Sequence, residues 1–179
     1  METATYQCPM CGNKMERDLV LFLDHANQHI IDKIKESHPE WVAQDGICKP
    51  CANFYALQLS GKLDSINIGP LERRKRLKLG IAMLAVSTAI ILIFVLSASP
   101  RIWRFILFFP IFLSLLCFIE NRESTCVVLA EQGVRDLDLG RWKIDDDAIA
   151  AGIKNRARKI LLKSAVFAAL ATAFLALFP

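Results

Sequence analysis

The sequence has little of three things that would point to common functions: net charge, catalytic signatures, and ionisable residues at the centres of its apolar segments. Its 22 basic and 18 acidic residues leave a net charge of only +4, and acidic residues outnumber basic ones over residues 1–69. That is the wrong balance for binding phosphates, so we expect no nucleic-acid partner. It holds no Ser-His-Asp set, Walker motif or glycine-rich nucleotide loop, and uncharged segment centres argue against a transport pathway. The absence of these features favours a protein that is not an enzyme, and the sequence identifies no small-molecule substrate.

Apolar residues are abundant, at 54% of the chain, and they concentrate in its second half. Three segments are long and apolar enough to cross a hydrocarbon core of about 30 Å: residues 79–98, 102–119 and 160–179. The polar N-terminus has no apolar leader, so the first of these segments is the expected insertion signal. The sequence therefore predicts a mainly α membrane protein with three transmembrane helices.

The charges that flank the first apolar segment predict its orientation. Five basic residues stand just before it, at Arg73, Arg74, Lys75, Arg76 and Lys78. Such a run is typical of the cytoplasmic side of a membrane, and only Arg101 and Arg104 occupy the turn after the segment. We expect an integral protein of a bacterial cytoplasmic membrane, with its N-terminal domain in the cytoplasm and its C-terminus outside.

Six cysteines are present, and four of them form two Cys-x-x-Cys pairs, at Cys8, Cys11, Cys48 and Cys51. Two close thiolate pairs are what a tetrahedral four-sulfur metal site needs. On the cytoplasmic side, such pairs indicate a metal site rather than a disulfide framework. We expect all four cysteines to bind one Zn ion, with Fe as the alternative. The sequence indicates no role for the other two cysteines, Cys117 and Cys126.

The residues around each pair carry a resemblance. The run Cys8-Pro9-Met10-Cys11-Gly12 is typical of a knuckle turn, whereas Pro50 suits the first turn of a helix that would begin inside the second pair and end at Ser60-Gly61. A knuckle pair followed by a pair entering a helix resembles a treble-clef zinc finger more than a symmetric zinc ribbon. The first pair also resembles a rubredoxin knuckle, which implies a redox-active iron, but the second pair departs from that pattern.

The predicted organisation follows the chain in five parts. They are a four-cysteine zinc-binding domain at 1–61, a linker and basic juxtamembrane helix at 62–78, a transmembrane hairpin at 79–119, a cytoplasmic loop with a helix at 120–159, and a third transmembrane helix at 160–179. Apolar residues at helical spacing predict a helix within residues 17–37. A helix from Asp145 has no break after Gly152, so we expect it to continue into the third span as one rod.

Three weaker patterns have ordinary interpretations. His25 and His29 stand four residues apart, which favours a surface pair because the metalloprotease signature is absent. The run Asp145–Asp147 indicates an acidic helix start. Small residues recur every four positions in the third span, and we expect the set Ala165, Ala169 and Ala173 to pack against the hairpin or a partner helix, with a second set at Ala168, Thr172 and Ala176.

Together these features favour a binding role at a membrane. We expect an adaptor, assembly factor or accessory subunit of a membrane complex, whose partners are the lipid bilayer and either another membrane protein or a second copy of the chain. The alternative is a membrane-anchored, rubredoxin-like electron carrier with one tetrathiolate iron.

Overall fold

The computed structural model describes residues 5–17, 20–23, 27–97 and 100–177. The chain divides into two compact units, Met1–Asp64 and Ser65–Pro179. The first unit holds short strands, two helices and the four paired cysteines. The second holds three helices of 27, 23 and 31 residues, each apolar enough to cross a membrane. The predicted fold class, a mainly α membrane protein with a small N-terminal cysteine domain, is therefore confirmed.

The first unit is built from two antiparallel strand pairs and two helices. In chain order the elements are β1 (Thr5–Gln7), β2 (Lys14–Glu16), β3 (Val20–Leu21), α1 (Gln28–Ser37), β4 (Ile47–Cys48) and α2 (Lys49–Leu59). Strand β1 pairs with β2, and β3 pairs with β4. Its buried core includes Ile34, Trp41 and Ile47, and the Trp41 indole N–H donates to the Gly46 carbonyl at 3.0 Å.

The helix predicted within residues 17–37 is present, but it occupies only the second half of that range. Val20 and Leu21 form a strand that pairs with Ile47 and Cys48, and the α-helix begins only at Gln28. The apolar residues have helical spacing, but tertiary pairing of a buried strand overrides a local preference of that kind. One consequence is that Val20 lies directly opposite Cys48, a member of the second cysteine pair.

The second unit contains the long helices and, between the last two of them, a small polar region at residues 124–146. Its elements are α3 (Pro70–Leu96), α4 (Phe108–Glu123), α5 (Val127–Glu131), β5 (Val134–Asp136), β6 (Arg141–Lys143) and α6 (Asp147–Leu177). A 3₁₀ turn at Arg101–Leu107 leads into α4. Pro110 thus falls in the first turn of α4, where a missing N–H leaves no intrahelical bond unmade.

The second span is held closely against the first by small residues. A Cβ added to Gly80 of α3 would lie only 3.2 Å from the Cβ of Cys117 on α4, and the Ser114 hydroxyl donates to the Gly80 carbonyl at 2.9 Å. Cys117 is 1% exposed at this contact. Small residues that let two backbones approach are the usual means of helix association within a membrane.

Helix α6 is continuous over 31 residues, as predicted for a rod that joins the polar region to the third span. The face it buries is not the expected one, however. Ser164, Ala168 and Thr172 are buried, whereas Ala169 and Ala173 are exposed. The expected packing of Ala169 and Ala173 against the hairpin is therefore wrong, whereas packing of the Ala165, Ala169 and Ala173 ridge against a partner helix stays a prediction. Both alanine sets share the same spacing, and spacing alone does not say which one meets a neighbouring helix.

The polar region is tied to the start of α3 by two side chains. The fully buried Asn67 amide donates to the Cys126 carbonyl at 2.9 Å and accepts from the Cys126 N–H at 2.7 Å. The Asp138 carboxylate accepts from the Leu71 N–H at 3.0 and 3.2 Å, which caps the first turn of α3 from the β5–β6 turn. A carboxylate at a helix N-terminus also complements the helix dipole.

Candidate metal centre

The first cysteine pair lies in the loop between β1 and β2. The hairpin register brings Gln7 opposite Lys14, and the Cys8 N–H donates to the Asn13 carbonyl at 3.0 Å. The Gly12 N–H in turn donates to the Cys8 carbonyl at 2.8 Å, and Gly12 has a φ of +70°, which glycine adopts without steric penalty. This tight turn is the knuckle that the sequence predicts. It directs the sulfurs of Cys8 and Cys11 to the same place.

The second pair stands where β4 passes into α2. Cys48 is the N-cap of α2, and its sulfur accepts from the Cys51 N–H at 3.4 Å. Pro50 occupies the first turn, and the helix ends at Leu59 with Ser60 as its C-cap, as predicted. The free N–H groups and the dipole of a helix N-terminus both stabilise a thiolate.

The two pairs come together into one four-sulfur cluster. The sulfurs of Cys8, Cys11, Cys48 and Cys51 all lie within 4.8 Å of one another. The Cys8–Cys51 distance is 4.0 Å and the Cys11–Cys48 distance is 3.7 Å. Four sulfurs about 2.3 Å from a central ion form a tetrahedron with edges of about 3.8 Å. The cluster therefore has the size that a single tetrathiolate metal ion requires, and it could hold one.

The thiols in this cluster are electrostatically coupled. The Cys51 side chain hydrogen bonds to Cys48 and, together with the Cys51 backbone N–H, lowers the pKa of Cys48 to about 5 against the opposing effect of burial. That same hydrogen bond, followed by burial, raises the pKa of Cys51. Burial is also the main reason that the pKa of Cys11 is raised. A stabilised thiolate at Cys48, beside thiols at Cys11 and Cys51 that hold their protons more tightly, is a starting point for a cation that displaces those protons.

A tyrosine stands beside the cluster with an unused hydrogen-bond donor. The Tyr6 hydroxyl is buried and has no hydrogen-bond partner among the residues that the structure describes. Burial, and next the negative charges of Cys8 and Cys48, raise the pKa of Tyr6 to about 12. A protonated phenol close to sulfur is well suited to a tetrathiolate centre, whose net negative charge favours nearby donors.

The weaker sequence candidates stay apart from this cluster. His29 is exposed on α1, while His25 lies outside the described residues. The Asp146 carboxylate accepts from the N–H groups of Ala148 and Ile149 at 2.7 and 3.1 Å, so the acidic run begins α6 as expected. Cys117 is buried between α3 and α4, and Cys126 is buried beside Asn67, so neither joins the four-sulfur cluster.

Sequence reasoning missed a buried polar group in the second unit. Glu120 is only 2% exposed, its carboxylate lies 3.6 Å from the Arg76 guanidinium, and it accepts from the Val127 N–H at 2.7 Å. Arg76 also donates to the Cys126 sulfur at 3.1 Å. Burial raises the pKa of the Cys126 thiol, which keeps it protonated in this network. A glutamate at the end of an apolar segment gives no sequence signal that it will be buried.

The arrangement of the first unit is that of a cysteine finger: one pair on a hairpin turn, one pair at a strand-to-helix junction, and all four sulfurs in one cluster. The second unit contributes three helices long and apolar enough to span a membrane. Comparison of the chain with protein-family models, with curated proteins and with solved structures finds no match.

Proposed function

We propose that this protein is a membrane-anchored zinc finger that acts as an adaptor, assembly factor or accessory subunit of a membrane complex. The observation that carries the proposal is the closed four-sulfur cluster of Cys8, Cys11, Cys48 and Cys51. Structural zinc sites use four protein ligands, whereas catalytic ones keep a position open for water or substrate. A tetrathiolate ion in this cluster would have all four positions filled by the chain, so its work would be to fold the domain.

The size of the first unit supports a structural metal. A domain of about 60 residues buries a small core and commonly relies on a metal or on disulfides. Here the ion would join the β1–β2 hairpin to the start of α2, two elements that are far apart in the chain. The folded unit would then offer its exposed surface to a partner. We infer that the partner is another membrane protein or a second copy of this chain.

An iron centre is the second candidate, and one observation favours it. Cys11 is the only partly exposed member of the cluster, while the other three are buried. An exposed ligand in a rubredoxin-like knuckle is where an electron would enter or leave. The second pair supports zinc instead, because Pro50 lacks the N–H that a second knuckle would direct at sulfur. Metal analysis with a visible spectrum distinguishes a colourless zinc protein from an absorbing iron protein.

We infer that the first unit faces the cytoplasm of a bacterial cell. The basic run before the apolar part of α3 supports this orientation through the positive-inside rule. Reporter fusions test it: a reporter inserted near Gly140 is expected inside, and one fused after Pro179 is expected outside. The opposite pattern would contradict the orientation while leaving the metal proposal intact.

A comparison between variants tests the adaptor role. Wild type, Cys51→Ser and Cys117→Ala are each purified from native membranes after cross-linking, and the co-purifying proteins are quantified. We expect Cys51→Ser to lose a specific partner that Cys117→Ala retains, because Cys117 lies outside the four-sulfur cluster. An identical set of partners for all three proteins would contradict a role for the finger in binding.

A further inference from the structure

A basic pocket lies in the second unit, between the end of α4 and the first half of α6. Its volume is about 280 Å³, and its lining includes Arg156, Lys159, Lys163, Asn155 and Gly152 of α6 and Glu123 of α4. The α6 residues recur at spacings of three and four, so they share one face of the helix. The pocket is thus lined by three basic side chains and one carboxylate.

The cations of α6 are neutralised on one face of the helix and not on the other. Lys154 and Arg158, which stand outside the pocket, share the Glu131 carboxylate at 2.6 and 3.5 Å. Among the described residues, neither Arg156 nor Lys159 has an acidic partner within ion-pair distance. The pocket therefore concentrates positive charge that the acidic residues in the described part of the chain do not balance.

The Glu123 carboxylate competes only weakly with an incoming anion for the cations of the pocket. The Glu123 oxygen lies 3.8 Å from the Lys163 ammonium, at the outer limit of an ion pair, and the two side chains are 32% and 57% exposed. An exposed pair at that distance contributes little. An anion with more negative charge and better geometry would therefore find Lys163 available.

Part of the pocket is already held in place. The Arg156 guanidinium donates to the Ser65 carbonyl at 2.9 Å, which fixes the position of its planar group. A fixed guanidinium suits the paired oxygens of a phosphate. A Cβ added to Gly152 would meet no atom within 4 Å, so this wall of the pocket is open to an incoming group.

The charge pattern of α4 and α6 indicates that the pocket stands at the depth of lipid headgroups. The apolar segment of α4 ends at Ile119, before Glu123, while α6 carries no charge from Ser164 to Leu177. Lys159 and Lys163 therefore stand just before the uncharged part of α6, and Glu123 stands just after the apolar part of α4. Leu162, which follows Lys159 by three positions and so flanks the pocket, is 65% exposed and would contact acyl chains.

We propose that this pocket binds the phosphate of an anionic phospholipid. Basic pockets between transmembrane helices bind such headgroups because unpaired cations at the interface attract them. Inorganic phosphate has the same chemistry, but the position of Lys159 and Lys163 at the end of the uncharged segment and the exposed Leu162 beside them favour the lipid. This proposal does not depend on the metal in the first unit.

Binding of defined probes to the full chain in detergent micelles tests the proposal. The probes are phosphatidylglycerol, phosphatidylcholine and inorganic phosphate, and bound lipid is counted by native mass spectrometry. We expect a preference for phosphatidylglycerol, and Lys159→Gln should weaken its binding roughly fivefold, the effect of removing one cation near a lipid surface. Arg158→Gln is the matched control, because it removes one cation from the other face, and it should leave binding unchanged.

Two further variants separate charge from folding. Glu123→Gln removes the competing carboxylate and should tighten phosphatidylglycerol binding, a gain that misfolding does not produce. Gly152→Glu places a carboxylate at the open wall and should weaken binding. Equal effects of Lys159→Gln and Arg158→Gln, or no gain for Glu123→Gln, would overturn the proposal. Inorganic phosphate that binds as well as the lipid, with no preference between the two lipids, would assign the pocket to free phosphate and overturn the lipid proposal.

Discussion

The sulfurs of Cys11 and Cys48 lie 3.7 Å apart, although 37 positions separate the two residues in the chain. This contact joins the β1–β2 hairpin to the start of α2. In a tetrathiolate site both sulfurs have lost their protons, and two thiolates at that distance repel one another unless a cation lies between them. The stability of the first unit should therefore depend on a bound metal more than on its small apolar core.

Replacement of one ligand tests that dependence. Cys51→Ser should unfold residues 5–64 while the long helices stay inserted, because metal binding contributes on the order of 10 kcal/mol to the folding of small domains of this kind. Limited proteolysis and hydrogen exchange on the full chain would measure the loss of protection.

Cys117→Ala is the control for that experiment, because it removes a buried cysteine from the contact between α3 and α4. We expect the first unit of this variant to resist protease as wild type does. If Cys51→Ser is equally resistant, the metal is dispensable for the fold.

The buried face of α6 gives a matched pair of substitutions. Ala168 is fully buried and Ala169 is exposed. Ala168→Leu should therefore destabilise the packing of the spans by about 1–3 kcal/mol through overfilling, whereas Ala169→Leu should change little. Thermal unfolding in detergent would measure both. The reverse order of the two effects would restore the ridge that the sequence alone favours.

The close approach of Gly69 and Asp138 suggests a second matched pair of substitutions, Gly69→Ala and Gly152→Ala. A Cβ on residue 69 would lie 2.6 Å from the Asp138 carboxyl carbon, so Gly69→Ala should displace the group that caps α3. Loss of a helix cap costs about 0.5–2 kcal/mol. Gly152→Ala meets open space in the second turn of α6 and should stabilise the protein by up to about 1 kcal/mol. Unfolding in detergent that finds both variants equally stable would contradict the capping role.

Glu131 should make the contact between α5 and α6 sensitive to acid. Its hydrogen bond with Lys154, and next the charges of Lys154 and Arg158, lower the pKa of Glu131 below the ordinary value of 4.5. A carboxyl whose pKa is lowered by folding stabilises the folded state above its unfolded pKa. That stabilisation is lost as the pH falls through the lower folded pKa. An NMR titration should place the Glu131 midpoint below 4.5, and Lys154→Met should return it toward that value. A midpoint that Lys154→Met does not move would contradict the pairing.

The features that the sequence predicted correctly are those encoded over short distances. Apolar runs long enough to cross a membrane identify the three spans, and Pro50 identifies the start of α2. The uninterrupted sequence after Gly152 identifies the continuous α6. The clustering of four cysteines was also predictable, since two Cys-x-x-Cys pairs have few other uses.

The features that were missed depend on contacts between distant parts of the chain. Val20 and Leu21 form a strand because Ile47 and Cys48 lie beside them, and local spacing favoured a helix there instead. Asp138 caps a helix that begins 68 positions before it, at Pro70. The buried Glu120 depends on Arg76, which the basic run presents as one of five solvated charges.

The metal content and coordination of the purified full chain test the central proposal most directly. Elemental analysis should find one zinc per chain, and X-ray absorption at the zinc edge should find four sulfur neighbours at about 2.3 Å. One iron per chain, with thiolate-to-iron absorption in the visible spectrum, would replace the zinc finger with the electron-carrier alternative. A folded first unit with no metal and four free thiols would contradict both.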